Sequence, residues 1–92
     1  MVIDLAGVTT VRHLHVLLKQ ELGFPDFYGM NWDAFWDAIT GLVELPRDLT
    51  FTGWSAFEAT LPEDARIMRG LLDEYVAAQA HTPQGPPVIR CE

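Results

Sequence analysis

Asp33, Trp36, Asp37 and Thr40 are the residues of this chain whose types and spacing point to chemistry. At about 100° per residue they project from one face of a helix, while Ala34, Phe35, Ala38, Ile39 and Leu42 occupy the other, expected to be the core side. Asp33 and Asp37 stand four residues apart, where like charges repel, so the pair does not serve local helix stability. Asp33 gains from the positive N-terminal end of the helix dipole; Asp37 lies deeper, where that help fades. Two carboxylates, an indole and a hydroxyl in one patch form a suitable anchor for a cationic pocket on a partner. A plainer reading stands beside it: Asp33 solvates the first turn, Asp37 is ordinary surface and Trp36 is tucked against the core.

Between Leu22 and Pro46 there is no Lys, Arg or His, whereas Asp26, Asp33, Asp37 and Glu44 all fall there, so charge is concentrated in this segment. Just upstream, Phe27, Tyr28, Gly29 and Trp32 make an aromatic cluster that also fits a core element with a tight turn. Other chemistry is thin. His13 and His15, two apart on a helix, point to different sides, so packing or exposure is expected and not a shared metal site. Two carboxylates on one helix resemble a glycosidase pair, but no pocket-forming segment or nucleophile accompanies them. There is no Gly-rich phosphate loop and no nucleophile elbow. The reading is therefore a binding protein and not an enzyme, with no catalytic residue, metal ligand or cofactor assigned.

The elements that must hold this face are legible in outline. Val2-Ile3-Asp4-Leu5, closed by Gly7, reads as an opening strand. Thr9 or Thr10 can cap a helix from Val11 to Leu22, whose Leu14, Leu17, Leu18 and Leu22 recur at helical spacing before Gly23. Pro25 to Gly29 reads as a turn or a single helical turn, and Asn31 as the N-cap of a helix from Trp32 to Gly41. Leu49-Thr50-Phe51-Thr52 alternates as a half-buried strand should. A short Trp54 to Thr60 turn follows, with Ser55 and Glu58 spaced as a capping box. Thr60 and Glu63 repeat that spacing ahead of a helix from Ala65 to Ala80, with Ile67, Met68, Leu71, Leu72, Tyr75 and Val76 as its apolar face. A proline-rich link from Thr82 to Pro87 leads to a last strand, Val88 to Cys91. Strands separated by helices imply parallel pairing through helical crossovers, an α/β fold.

Ninety-two residues fit one domain spanning 1–92, and 49% hydrophobic residues suffice for one core. Thirteen Asp and Glu against six Lys and Arg give a formal net charge of −7, which disfavours direct binding to nucleic acid or to anionic membranes. Cys91 is the only cysteine, so no internal disulfide can form and a reducing, cytoplasmic setting fits. The opening residues lack a basic region followed by a long apolar run, and no stretch approaches the roughly 18 apolar residues of a membrane span; export is not expected.

The run Pro25-Asp26-Phe27-Tyr28-Gly29-Met30-Asn31-Trp32-Asp33-Ala34-Phe35-Trp36-Asp37-Ala38-Ile39-Thr40-Gly41 closely resembles the signature of the barstar family of ribonuclease inhibitors. Leu14-His15 and Leu18-Lys19 also fit, and the likeness extends ungapped through Glu44 and Pro46 and more weakly into Leu71 to Val76. The resemblance implies a small three-stranded parallel sheet packed against helices, with a binding edge made from the acidic helix and the loop before it. It implies that Asp37 is the main anchor among a nuclease's catalytic cations. Asp33 and Thr40 support it, Glu74 meets a basic residue at the rim, Gly29 and Asn31 shape the loop, and Trp36 fills contact area.

The chain also departs from the family pattern. Phe27 stands where the family has a contacting tyrosine, Leu42 where it has a tryptophan at the contact rim, and Met30 and Trp32 replace a glutamate and a leucine. The function implied is inhibition of a secreted microbial ribonuclease of the same organism, in a one-to-one complex that protects the producing cell. A second reading keeps the fold and changes the partner: an immunity or regulatory module for another basic toxin or nuclease.

Overall fold

A computed structural model describes residues 1–92. Strand β1 (Val2–Asp4) is followed by helix α1 (Val11–Leu22) and helix α2 (Trp32–Asp37), which runs on into a π-helical turn over Ala38–Leu42. Strand β2 (Asp48–Thr52), helices α3 (Trp54–Thr60) and α4 (Pro62–Gln79), and strand β3 (Val88–Cys91) complete the chain. The strands lie in the order β1-β2-β3, and both pairings are parallel, with Ile3 opposite Phe51 and Leu49 opposite Ile89. The expected three-stranded parallel α/β architecture is therefore present.

Strand β2 is central because it pairs with both β1 and β3, and alternation decides which of its side chains are buried. Leu49 and Phe51 are fully buried while Thr50 and Thr52 turn the other way and are only half-buried. One core cluster gathers Ile3 and Leu5 with these strand residues, Leu14 and Leu18 from α1, Phe35 from α2, Phe57 from α3, and Met68 and Leu72 from α4. The proline-rich link is fixed from outside the sheet. The Arg47 guanidinium donates to the carbonyls of Gln84, Gly85 and Pro86 at 2.9 to 3.2 Å, and β3 follows directly. No helix is long and apolar enough to cross a membrane. Cys91 is half-buried on β3, and burial raises its thiol pKa above the ordinary value.

Three details correct the sequence reading. Neither expected capping box forms. Gly53, at φ 67°, precedes α3, and Ser55 lies inside the helix, so Trp54–Thr60 is a true helix begun by backbone geometry. A Cβ at Gly53 would lie 2.6 Å from both Cβ and N of Ala6, so close packing as well as φ demands glycine there. Helix α4 begins at Pro62, three residues earlier than expected; proline at the first helical position gives up only an amide that would have no partner. The Thr60 hydroxyl instead donates to the Ala56 carbonyl, and Glu63 pairs with Arg66. The buried face of α4 is Ala65, Met68, Leu72 and Tyr75, whereas Ile67 and Leu71 are only half-buried and face another direction, described next.

Candidate partner-binding surface

Helix α2 starts where Asn31 ends the preceding loop. With φ −144° and ψ 173° its backbone is extended, its Oδ1 accepts from the Ala34 amide at 2.7 Å, and its Nδ2 donates to the Gly29 carbonyl at 3.2 Å. One side chain thus caps the helix and braces the loop. The loop is tight. The Tyr28 amide donates to the Pro25 carbonyl at 2.9 Å, and a Cβ on Gly29 would press to 3.2 Å from that of Ala34. Met30 holds φ 58°, a left-handed conformation costing a non-glycine residue about 1 to 3 kcal/mol. Adjacent rings part company here: Tyr28 is 6% exposed and Phe27 is 75% exposed.

Phe35, Ala38 and Ile39 are buried, and Asp33, Asp37 and Thr40 are exposed, as 100° periodicity requires. Trp36 is half-buried, packed against the core while lining an open groove. Leu42 overturns an expectation drawn from periodicity. A period of 3.6 residues puts it on the core side, yet it is 49% exposed. The π turn is the reason: Val43 N–H bonds the Ala38 carbonyl, five residues back, and each residue there advances by less than the α-helical angle. Leu42 therefore stands exposed, bordering a hollow with Phe27 and Asp37.

Two hollows flank Asp37. One, of about 420 Å³, runs between α2 and α4 and is lined by Trp32, Asp33, Trp36, Ile67, Leu71 and Glu74, with Asp37 on its lip. The other, of about 250 Å³, is bordered by Phe27, Tyr28, Gly29, Ala34, Asp37 and Leu42. The structure thus brings all of Phe27, Gly29, Asp33, Trp36, Asp37, Leu42 and Glu74 to two depressions that share Asp37, while Asn31 lines neither and acts only through the loop and the helix cap. Thr40 lies on the same exposed face, and its hydroxyl donates to the Trp36 carbonyl at 2.6 Å. Neither Asp33 nor Asp37 has an ion partner: the ion pairs of the chain are Glu63–Arg66, Asp73–Arg69 and Asp48–Arg90. Asp37 is neither turned inward nor neutralised.

Three residues around this surface have no role there in the sequence reading, although burial of His15 is one of the outcomes it expects. His15 is fully buried, and its Nδ1 is hydrogen-bonded to Tyr28 Oη at 2.7 Å. Burial holds its pKa below the usual histidine value, partly offset by the Asp64 carboxylate. Asp64 accepts a 2.9 Å hydrogen bond from Trp32 Nε1. Lys19 reaches the Asp26 carbonyl at 3.3 Å, so one cation does touch the otherwise acidic segment, from behind the loop. Helical periodicity put His15 among leucines, but nothing in sequence marked Asp64, an ordinary acid in the first turn of a helix.

Fold and surface define a small α/β protein with an acidic, partly aromatic helix face open to solvent. The model of the family described as barstar (barnase inhibitor) matches residues 1–88, and the chain belongs to that family, whose members are inhibitors and not enzymes. The chain is also similar to the Bacillus subtilis (strain 168) protein named "Putative ribonuclease inhibitor YrdF", with 47% identity over 49 residues. That match covers 53% of this chain and 54% of the relative, about half the length of each.

Proposed function

We propose that this chain inhibits a secreted microbial ribonuclease of the barnase-like, guanyl type by plugging its cationic active site with α2 and the preceding loop. The observation that carries the reading is Asp37: an exposed carboxylate without an ion partner, on a capped helix, at the lip shared by two hollows. Membership of the barstar family and the relative's name supply the partner class. A ribonuclease active site gathers cations to hold phosphate, and carboxylates already fixed on a helix replace that phosphate without fresh ordering cost. The chain's charge of −7 steers encounter with a basic enzyme; barstar and barnase are themselves the usual example of such steering.

The inhibitor acts inside the producing cell, one molecule per nuclease, against an enzyme that the same organism secretes. Asp33 and Glu74 supply further negative charge across the α2–α4 groove, and Phe27, Trp36 and Leu42 supply contact area. The test is a panel of purified microbial ribonucleases assayed with the protein at low and high salt. Inhibition of a guanyl-type enzyme that weakens as salt rises is the expected result; a panel left fully active would refute it, and capture of an unrelated basic toxin would establish the immunity-module reading.

A further inference from the structure

Tyr28 and Trp32 bracket the loop residues Gly29, Met30 and Asn31, and each is tied by its polar atom to a different helix. Tyr28 Oη is bonded to His15 Nδ1 on α1 at 2.7 Å, and Trp32 Nε1 donates to Asp64 Oδ1 on α4 at 2.9 Å. The ties converge, because the His15 ring packs against the Trp32 indole with centroids 4.7 Å apart. A continuous cluster therefore runs from α1 through both ends of the loop to α4.

Two features set this cluster apart from ordinary packing. His15 is fully buried, yet its Nε2 has no hydrogen-bond partner, an arrangement that an apolar side chain would avoid. Between the clamps, Met30 keeps its left-handed backbone, and such strain persists only where the surroundings over-determine it. Moreover, Trp32 walls the α2–α4 groove beside Asp33, so the bond to Asp64 also sets the groove's shape.

We propose that His15 and Asp64 are positioning residues for the partner-binding surface: from behind the contact face they hold Tyr28 and Trp32, and through them the loop and groove wall. This rests on the inhibitory reading of that surface. His15 is wholly covered and cannot meet a partner, so its contribution is pre-organisation, sparing the loop its ordering cost on binding.

The test uses Tyr28→Phe, Asp64→Ala and the conservative Asp64→Asn, which retains an acceptor oxygen; replacing the fully buried His15 would change core packing as well as the tie to Tyr28. In the free protein, amide hydrogen exchange is followed at Tyr28 and Ala34, whose amides bond the Pro25 carbonyl and Asn31 Oδ1, with the β2 amides as reference. Tyr28→Phe and Asp64→Ala are expected to speed the two loop amides about tenfold while β2 is unchanged, and Asp64→Asn to behave as the native chain. The same two variants should bind a guanyl-type ribonuclease about tenfold more weakly, with Asp64→Asn restored. Loop amides at native rates, β2 amides accelerating in step with the loop, or faster loop exchange with unchanged affinity would each overturn the proposal. Failure of the native protein to bind any ribonuclease would instead sink the inhibitory reading, and positioning for binding with it, while the exchange data alone would still show whether the clamps order the loop.

Discussion

Val43 donates its amide hydrogen to the carbonyl of Ala38 at 2.9 Å, and this one wide turn decides which way Leu42 faces. An α-helical continuation would carry Leu42 toward Ala38 and Ile39 in the core; the π turn leaves it beside Asp37 and Phe27. Leu42→Ala is therefore expected to shift folding stability by no more than about 0.5 kcal/mol, as for a surface change, yet to weaken the nuclease complex measurably. Denaturant unfolding and calorimetry on the same variant check both halves. A large loss of stability would mean that Leu42 is a core residue after all.

Asp37→Ala should weaken the complex by more than about 2 kcal/mol, the general threshold for a dominant contact. Glu63→Ala is the control, since that exposed acid is already occupied by Arg66 and such surface pairs contribute little. Titration calorimetry giving equal losses for the two variants would show that the binding face lies elsewhere.

Asn31→Ala removes both the bond to the Ala34 amide and the brace to the Gly29 carbonyl. Loss of an N-cap alone costs about 1 kcal/mol, which urea unfolding resolves. Asn31→Asp keeps the cap acceptor and loses the brace, so it should recover most of the stability. An unchanged midpoint in Asn31→Ala would contradict the capping role.

Stability should fall with acidity through His15. Burial lowers its pKa in the folded chain, so below the ordinary value of 6.5 the unfolded chain binds more protons than the folded one. The contribution is intact above that value and is lost as pH falls beneath it. Thermal unfolding from pH 7.5 down to pH 5 should therefore show a smaller loss in His15→Gln than in the native chain. Parallel curves for the two proteins would exclude the buried imidazole as a source of the pH dependence.

What could be read in the sequence was what depends on near neighbours. The α2 face followed from a spacing of three and four residues, the β2 burial from alternation of Leu49 and Phe51, and the Asn31 cap from its place ahead of an apolar run. What could not be read depends on distant partners or on backbone alternatives. His15 meets Tyr28 across 13 positions and Trp32 meets Asp64 across 32, with no local pattern to announce either. The capping-box spacings failed because Gly53 and Pro62 already determine where α3 and α4 begin. Leu42 was misplaced because α-helical periodicity takes no account of a five-residue turn.

The inward bond of the Thr40 hydroxyl has a further consequence. With that proton committed to the Trp36 carbonyl, and the Trp32 N–H committed to Asp64, the Trp36 indole N–H is the side-chain donor left open in the groove beside Asp33 and Asp37. The face can receive hydrogens but has few to give. A visitor carrying carbonyls, carboxylates or phosphates would find little there beyond the Trp36 N–H to bond them, whereas guanidinium and ammonium groups would meet the Asp33 and Asp37 carboxylates, which have no ion partner. On the proposed inhibitory reading, selectivity would begin with refusal: before any shape is matched, the wrong polarity is turned away.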